Sequence, residues 1–210
     1  HPHAPSLKTV GRYVVVNDTD TPQTEIHLRW QPELEVTRLD VEGARLAREW
    51  KEFDYRIYRF DTPLQPGERR TVRFETRLAQ RGFKVRGNTT RIVDNGTFVT
   101  NGEFAPIIGM GRDSLLTDRT QRRKRGLPAE LRMAKLEDTT AQASNYIDAD
   151  WVNADITVTT DADQTPVAPG YRVSDTVANG RRTARFVTEA PILHFFSVQS
   201  ARYEILRDRH

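Results

Sequence analysis

Hydrophobic and polar residues alternate with a period of two over most of the first eighty positions. Arg12 to Asn17 is β-branched and ends in Asn-Asp-Thr-Asp, a turn signal. From Thr24 to Gln31, Ile26, Leu28 and Trp30 share one face and Glu25, His27 and Arg29 the other, the mark of a half-buried strand. From Glu33 to Glu42 the apolar parity changes between Leu34/Val36 and Leu39/Val41, which predicts a bulge near Thr37-Arg38. Tyr55 to Phe60 and Arg70 to Leu78 alternate again, separated by Leu64-Gln65-Pro66-Gly67-Glu68. That separator is a turn, since proline presets φ and glycine accepts positive φ.

The rhythm returns after residue 150. Val152, Ala154, Ile156 and Val158 oppose Asn153, Asp155, Thr157 and Thr159, and Asp161 to Gln164 reads as a turn. Val167 to Val173 contains Pro169-Gly170 and is therefore bent or in two pieces. Asn179-Gly180 signals a hairpin. Ile192 to Val198 is apolar, and Tyr203 to Leu206 reads as a last strand. The expected fold is all-β: an antiparallel β-sandwich or saddle-like sheet. A single domain is expected over 6–210, with residues 1–5 a disordered start or an expression remnant.

The exception is a long irregular segment of about 82–145, punctuated by Asn and Gly. It is expected to hold one or two short helices. The first is predicted over Thr117 to Arg125, with Asp118 early, Arg122 to Arg125 in the last turn and Gly126 as the residue just past the end. A second is expected near Pro128. A loop this long inside a compact domain is usually functional or ordered by a neighbour.

Charge alters the picture little. The 210 residues carry 32 basic and 29 acidic groups, a net +3, with the signs interspersed. That argues against a nucleic-acid platform. Cysteine is absent, which removes disulfides, thiol catalysis and Cys-ligated zinc. No stretch reaches the roughly 18 apolar residues of a spanning helix.

The residues able to carry chemistry are scattered. Of the five histidines, His1, His3 and His210 lie near the ends, His27 is on the polar face of a strand, and His194 sits in an apolar run. No two have the spacing that sets both imidazoles on one helix face for a metal. No serine occupies a Gly-x-Ser-x-Gly elbow. Asp148/Asp150 and Asp161/Asp163 lack the rest of a calcium loop. The sequons at Asn17, Asn88 and Asn95 read as turn chemistry. No catalytic or metal-binding residue is expected, and no cofactor. The candidates for partner contact are Phe98 and Phe104, which also serve as core anchors, and Arg122, Arg123, Lys124 and Arg125. That basic run reads first as a solvated helix face and second as an anion-docking patch.

Several pieces, taken in order, resemble a known family. Gly11 to Asn17, then Pro63 to Glu68 before Thr71-Val72-Arg73-Phe74, resembles the N-terminal saddle domain of the aminopeptidase N type zinc peptidases. Trp151 to Thr159 and Arg185 to Ile192 resemble later strands of the same domain. Asn95 to Phe98, Phe104 to Gly109 and Asp118 to Pro128 are similar to a bacterial subgroup fused to an ABC transporter permease. The family's His-Glu-x-x-His pair, downstream Glu ligand and Gly-x-Met-Glu-Asn loop have no counterpart here. The resemblance therefore implies a non-catalytic domain that packs against and orients a following peptidase domain of the same chain, where the zinc would sit. It further implies a permease portion or membrane surface as neighbour, on the periplasmic face of the bacterial inner membrane. The alternative is a stand-alone extracytoplasmic sandwich that binds peptide or glycan.

Overall fold

The computed structural model describes residues 2, 4–79, 91–111, 115–130, 135, 137 and 150–206. His1, His3, Asn88, Ser114, Asp148 and His210 fall outside them, as does much of the 82–145 segment. The strands are β1 (Ser6–Val16), β2 (Gln23–Arg29), β3 (Leu34–Val41), β4 (Ala44–Trp50), β5 (Tyr55–Leu64), β6 (Arg69–Ala79), β7 (Ile92–Val93), β8 (Gly96–Thr100), β9 (Ile107–Ile108), β10 (Trp151–Val152), β11 (Asp155–Asp161), β12 (Thr165–Val167), β13 (Tyr171–Ala178), β14 (Arg181–Val187), β15 (Ile192–Leu193) and β16 (Ser197–Ala201). The helices are α1 (Asn101–Phe104) and α2 (Arg119–Lys124). The protein is all-β, and every strand pair among the described residues is antiparallel. No helix among the described residues is long and apolar enough to cross a membrane.

The chain forms two compact units. The first comprises residues 1–109 and 151–210, and the second 110–150. The irregular segment thus divides: β7, β8, α1 and β9 belong to the β unit, while α2 belongs to the other.

Alternation sets the core of the β unit. Leu39, Val41, Val72 and Phe74, from the sheet ordered β1-β6-β3, pack with Leu28, Tyr58, Phe60 and Leu64, from the sheet ordered β4-β5-β2-β9. A second cluster joins Leu34 and Leu78 to Ile92, Val99 and Val198, with Ile156 and Val158 against it. Trp30 and Phe104 pack against both clusters. Side chains as buried as Leu28 and Val72 each contribute about 1.5–3 kcal/mol relative to exposure.

The register explains the parity change in β3. Pairing with β6 shifts between Val36 and Arg38, so Thr37 is the extra residue that returns Leu39 to the inner face. Asn179 and Gly180 both have positive φ, 51° and 71°, and close the β13–β14 hairpin with Ala178 opposite Arg181. This is the two-residue turn whose twist matches its strands.

One strand has no counterpart among the expectations, and two expectations are corrected. β4 gives no periodic signal because, at the sheet edge, it is almost wholly exposed and is held by its ladder to β5. The strand expected from Trp151 is broken at Asn153-Ala154 into β10 and β11, which pair with different partners. Tyr203 to Leu206 is not a strand: these residues are exposed and join no sheet. Leu127–Glu130 is non-helical, and 131–134, into which a helix begun near Pro128 would run, lie outside the described residues.

Candidate functional site

The two candidate aromatics do not come together. Phe98 is on β8 directly opposite Gln199 of β16, which pairs with Val167 of β12. Their neighbours Val99, Val198 and Pro166 are buried, so Phe98 and Val167 project from the outer face of that sheet. Phe98 is 54% exposed. Phe104 lies inward, half-buried and 6.4 Å from the ring of Phe196, and its carbonyl accepts from the Thr76 hydroxyl at 2.5 Å. Phe104 is an anchor of the interior; Phe98 is available at the surface.

The basic run also divides. α2 begins at Asp118, whose carboxylate accepts from the Gln121 amide at 2.7 Å. It ends with the Gly126 amide donating to the Arg123 carbonyl and the Leu127 amide to the Arg122 carbonyl. That paired closure requires a left-handed residue, and Gly126 has φ 68°. Arg122 is buried, and its guanidinium donates to the Pro128 carbonyl at 2.5 Å and the Leu116 carbonyl at 2.8 Å. It ties together the loops on either side of the helix. Arg125 reaches back to the Gln121 side chain at 2.9 Å. Arg123 and Lys124 are exposed. The anion-accessible part of the run is therefore Arg123, Lys124 and the tip of Arg125.

Histidine chemistry takes a structural form. His27 Nδ1 is 2.6 Å from the Tyr55 hydroxyl and Nε2 is 3.2 Å from Glu25, half-exposed on the outer side of β2. The hydrogen bond from His27, aided by its charge and that of Arg59, holds the Glu25 carboxyl below its ordinary range. The His194 ring packs edge-on to Tyr13 at 5.5 Å, and its carbonyl accepts from the Asn101 side chain at 2.9 Å. Burial pushes the Tyr13 hydroxyl well above its ordinary pKa, so it stays protonated and donates to the Pro106 carbonyl at 3.0 Å.

Asp161, Asp163, Ser200 and Asn17 are also engaged. Asp161 pairs with Arg181, and Asp163 with Arg202 at 2.5 Å, so the two carboxylates are drawn to different cations. Ser200 donates to Gln164 at 2.8 Å in a buried network with Thr160. Gln164 in turn donates to the Asp94 carbonyl at 3.0 Å. Asn17 is buried, with both side-chain groups hydrogen-bonded. Among the described residues no cluster of three or more His, Cys, Asp or Glu side chains could hold a metal.

One feature had no signal in the sequence. A shallow groove of about 260 Å³ lies on the outer face of the β1-β6-β3 sheet beside Arg12, Arg38 and Arg73. Only the register brings these side chains together from three separate strands.

No protein-family model matches the chain, and no curated protein matches it. Solved structures do. An M1 zinc metallopeptidase from Deinococcus radiodurans superposes with TM-score 0.56 at 16% identity, over 95% of this chain and 39% of that one. A variant of an M1 zinc metallopeptidase from Deinococcus radiodurans bound to a Tyr-Ser-Ala substrate gives TM-score 0.55 at 15% identity, over 95% and 39%. A two-domain M1 zinc metallopeptidase variant bound to L-tryptophan gives 0.53 at 15%, over 94% and 38%. The shared property is the fold, and the chain spans about two fifths of the length of each of these peptidases.

Proposed function

We propose that this chain is the non-catalytic N-terminal domain of an aminopeptidase-like zinc metallopeptidase, packing against and orienting a peptidase domain that follows it. The observation that carries this reading is the superposition of nearly the whole chain on two fifths of M1 peptidase chains. The ordered motif resemblance supports it, from Gly11–Asn17 through Arg185–Ile192. So does the engagement of His27, His194, Ser200, Asp161 and Asp163 in local contacts. In this reading the zinc and its ligands belong to the peptidase domain. The parent protein is membrane-bound on the periplasmic side and fused to a permease, a setting that rests on the resemblance of Asn95–Phe98, Phe104–Gly109 and Asp118–Pro128 alone.

The test is to express the polypeptide encoded by the whole reading frame and assay it beside this chain. The longer protein should hydrolyse amino-acid p-nitroanilides, lose activity to a chelator and regain it with zinc. This chain should be inert. A reading frame without a His-Glu-x-x-His segment, or chelator-sensitive hydrolysis by this chain alone, overturns the proposal.

A further inference from the structure

The outer face of the β1-β6-β3 sheet sets like charges directly opposite each other in two rows. Lys8 of β1 faces Arg77 of β6, and Arg12 faces Arg73. All four side chains are exposed. Directly opposed like charges destabilise an antiparallel pair, whereas unlike charges support it. The core does not need this arrangement, because the buried residues of these strands, Val72 and Phe74, point the other way.

On the other side of β6 the register sets Asp40 of β3 opposite Arg73 and Glu35 opposite Arg77, and these unlike charges offset part of the repulsion, but neither carboxylate closes to an ion pair with its arginine. Glu75 lies between the rows and is shared by Lys8 at 3.8 Å and Arg38 at 3.9 Å. Arg38 is also held by Asp40 at 2.5 Å. Asp155 feels the charge of Arg12 but is gripped in bidentate fashion by Arg185, at 2.7 and 2.8 Å. Glu42 feels the charge of Arg73 but accepts from the Thr71 amide at 3.0 Å. Arg12 and Arg73 are left without an ion-pair partner among the described residues, at the lip of the groove. On the same face Val10 and Val14 flank Arg12 and are 69% and 59% exposed.

We propose that this groove docks an acidic polypeptide segment of a partner. Its carboxylates would bridge Arg12 and Arg73 while its apolar side chains cover Val10 and Val14. Two guanidiniums offer the forked donors that match carboxylate geometry, and the valines on either side of Arg12 supply apolar contact. Glu75 and Asp40 on the same face repel a continuous anionic surface, which favours discrete, spaced carboxylates over a bilayer. The proposal stands apart from the peptidase reading and survives its failure.

The test is fluorescence anisotropy of a labelled peptide of alternating glutamate and valine, titrated with the full chain at low ionic strength. R12Q and R73Q should each weaken binding about tenfold, the loss of one charge-assisted contact. R123Q, on the separate basic run, should leave it unchanged. R12Q should also raise the thermal midpoint, because it removes a like-charge contact; the same melt shows that the variant folds. Binding of the acidic peptide no tighter than a glutamine-valine control, or equal loss in R123Q, overturns the proposal. Arg12-dependent binding to phosphatidylserine vesicles without binding to the peptide overturns it in favour of a membrane surface.

Discussion

The side-chain amide of Asn17 donates to the carbonyl of Leu64 at 2.9 Å, fastening the end of β1 to the turn that links β5 and β6. The same amide donates to the Thr21 carbonyl at 2.8 Å, and its oxygen accepts from the amide and hydroxyl of Thr19. The Asn17 backbone joins in, accepting from the Gly67 amide at 2.8 Å and donating to the Glu68 carbonyl at 3.0 Å. One buried residue thus fixes the Asn17–Thr21 loop and the Pro66-Gly67 turn together.

Replacing Asn17 with alanine leaves the Thr21 and Leu64 carbonyls without that donor. Each lost buried partner costs on the order of 1–3 kcal/mol. N17A should therefore lower stability by roughly 2–4 kcal/mol in urea unfolding. N17D, which keeps the acceptor and loses the donor, should be nearly as damaging. A change below about 0.5 kcal/mol would show that the turn holds without Asn17.

Gly11 faces Phe74 across the β1–β6 ladder, and a methyl group added at Gly11 meets the Phe74 ring, with Cε atoms at 2.8 and 3.0 Å. That ring also packs on Tyr13 at 4.9 Å and cannot withdraw freely. G11A should cost about 1–3 kcal/mol by overpacking. In the double variant G11A/F74L the two changes should cost less than their sum, because the smaller side chain makes room for the methyl. Additive costs would mean that the two positions do not compete for space.

In the second unit, R122A removes both carbonyl contacts that bracket α2. Amide hydrogen exchange from Gln121 to Leu127 should speed up by about ten- to a hundredfold, the loss of a buried charged donor. Protection in the β1–β6 core should stay as it was, since the units are separately compact. R123A, which alters an exposed side chain, is the control.

Acid should weaken the β11-β14-β13 sheet. Hydrogen bonds and charge from Arg185 and Arg182 hold the Asp155 and Asp175 carboxyls below their ordinary range. Such groups stabilise the fold above their unfolded pKa of about 3.9, and the contribution is lost as pH falls through the folded value. The urea midpoint should therefore drop as the pH falls below about 4, and salt should blunt the effect because the pairs are exposed. D155N and D175N should each flatten that dependence. An unchanged pH profile in both variants would assign the acid response to other groups.

Much of this structure is legible along the chain. Alternation in Ile26, Leu28 and Trp30, or in Val72, Phe74 and Leu78, follows from one face being buried and the other wet. The Thr37 bulge, the Pro66-Gly67 and Asn179-Gly180 turns and the Asp118-to-Gly126 limits of α2 are also local, because each depends on the conformational preferences of a few consecutive residues. These features specify an all-β fold without any long-range contact. β4 and β13 are weakly marked for the opposite reason: edge strands exposed along nearly their whole length have no buried face to impose a period.

What tertiary structure alone decided is which side chains meet. Phe98 and Phe104 look alike in sequence, yet strand register turns the first outward while helix α1 carries the second into the core. Arg122 and Arg123 are neighbours in one basic run, but only Arg122 is drawn inward to two carbonyls. Arg12 and Arg73 lie far apart in the chain, and antiparallel pairing places them face to face. Burial pattern and turn chemistry are written locally; registry and charge juxtaposition arise only when separate strands pair, and in this chain those decide which groups remain open to a partner.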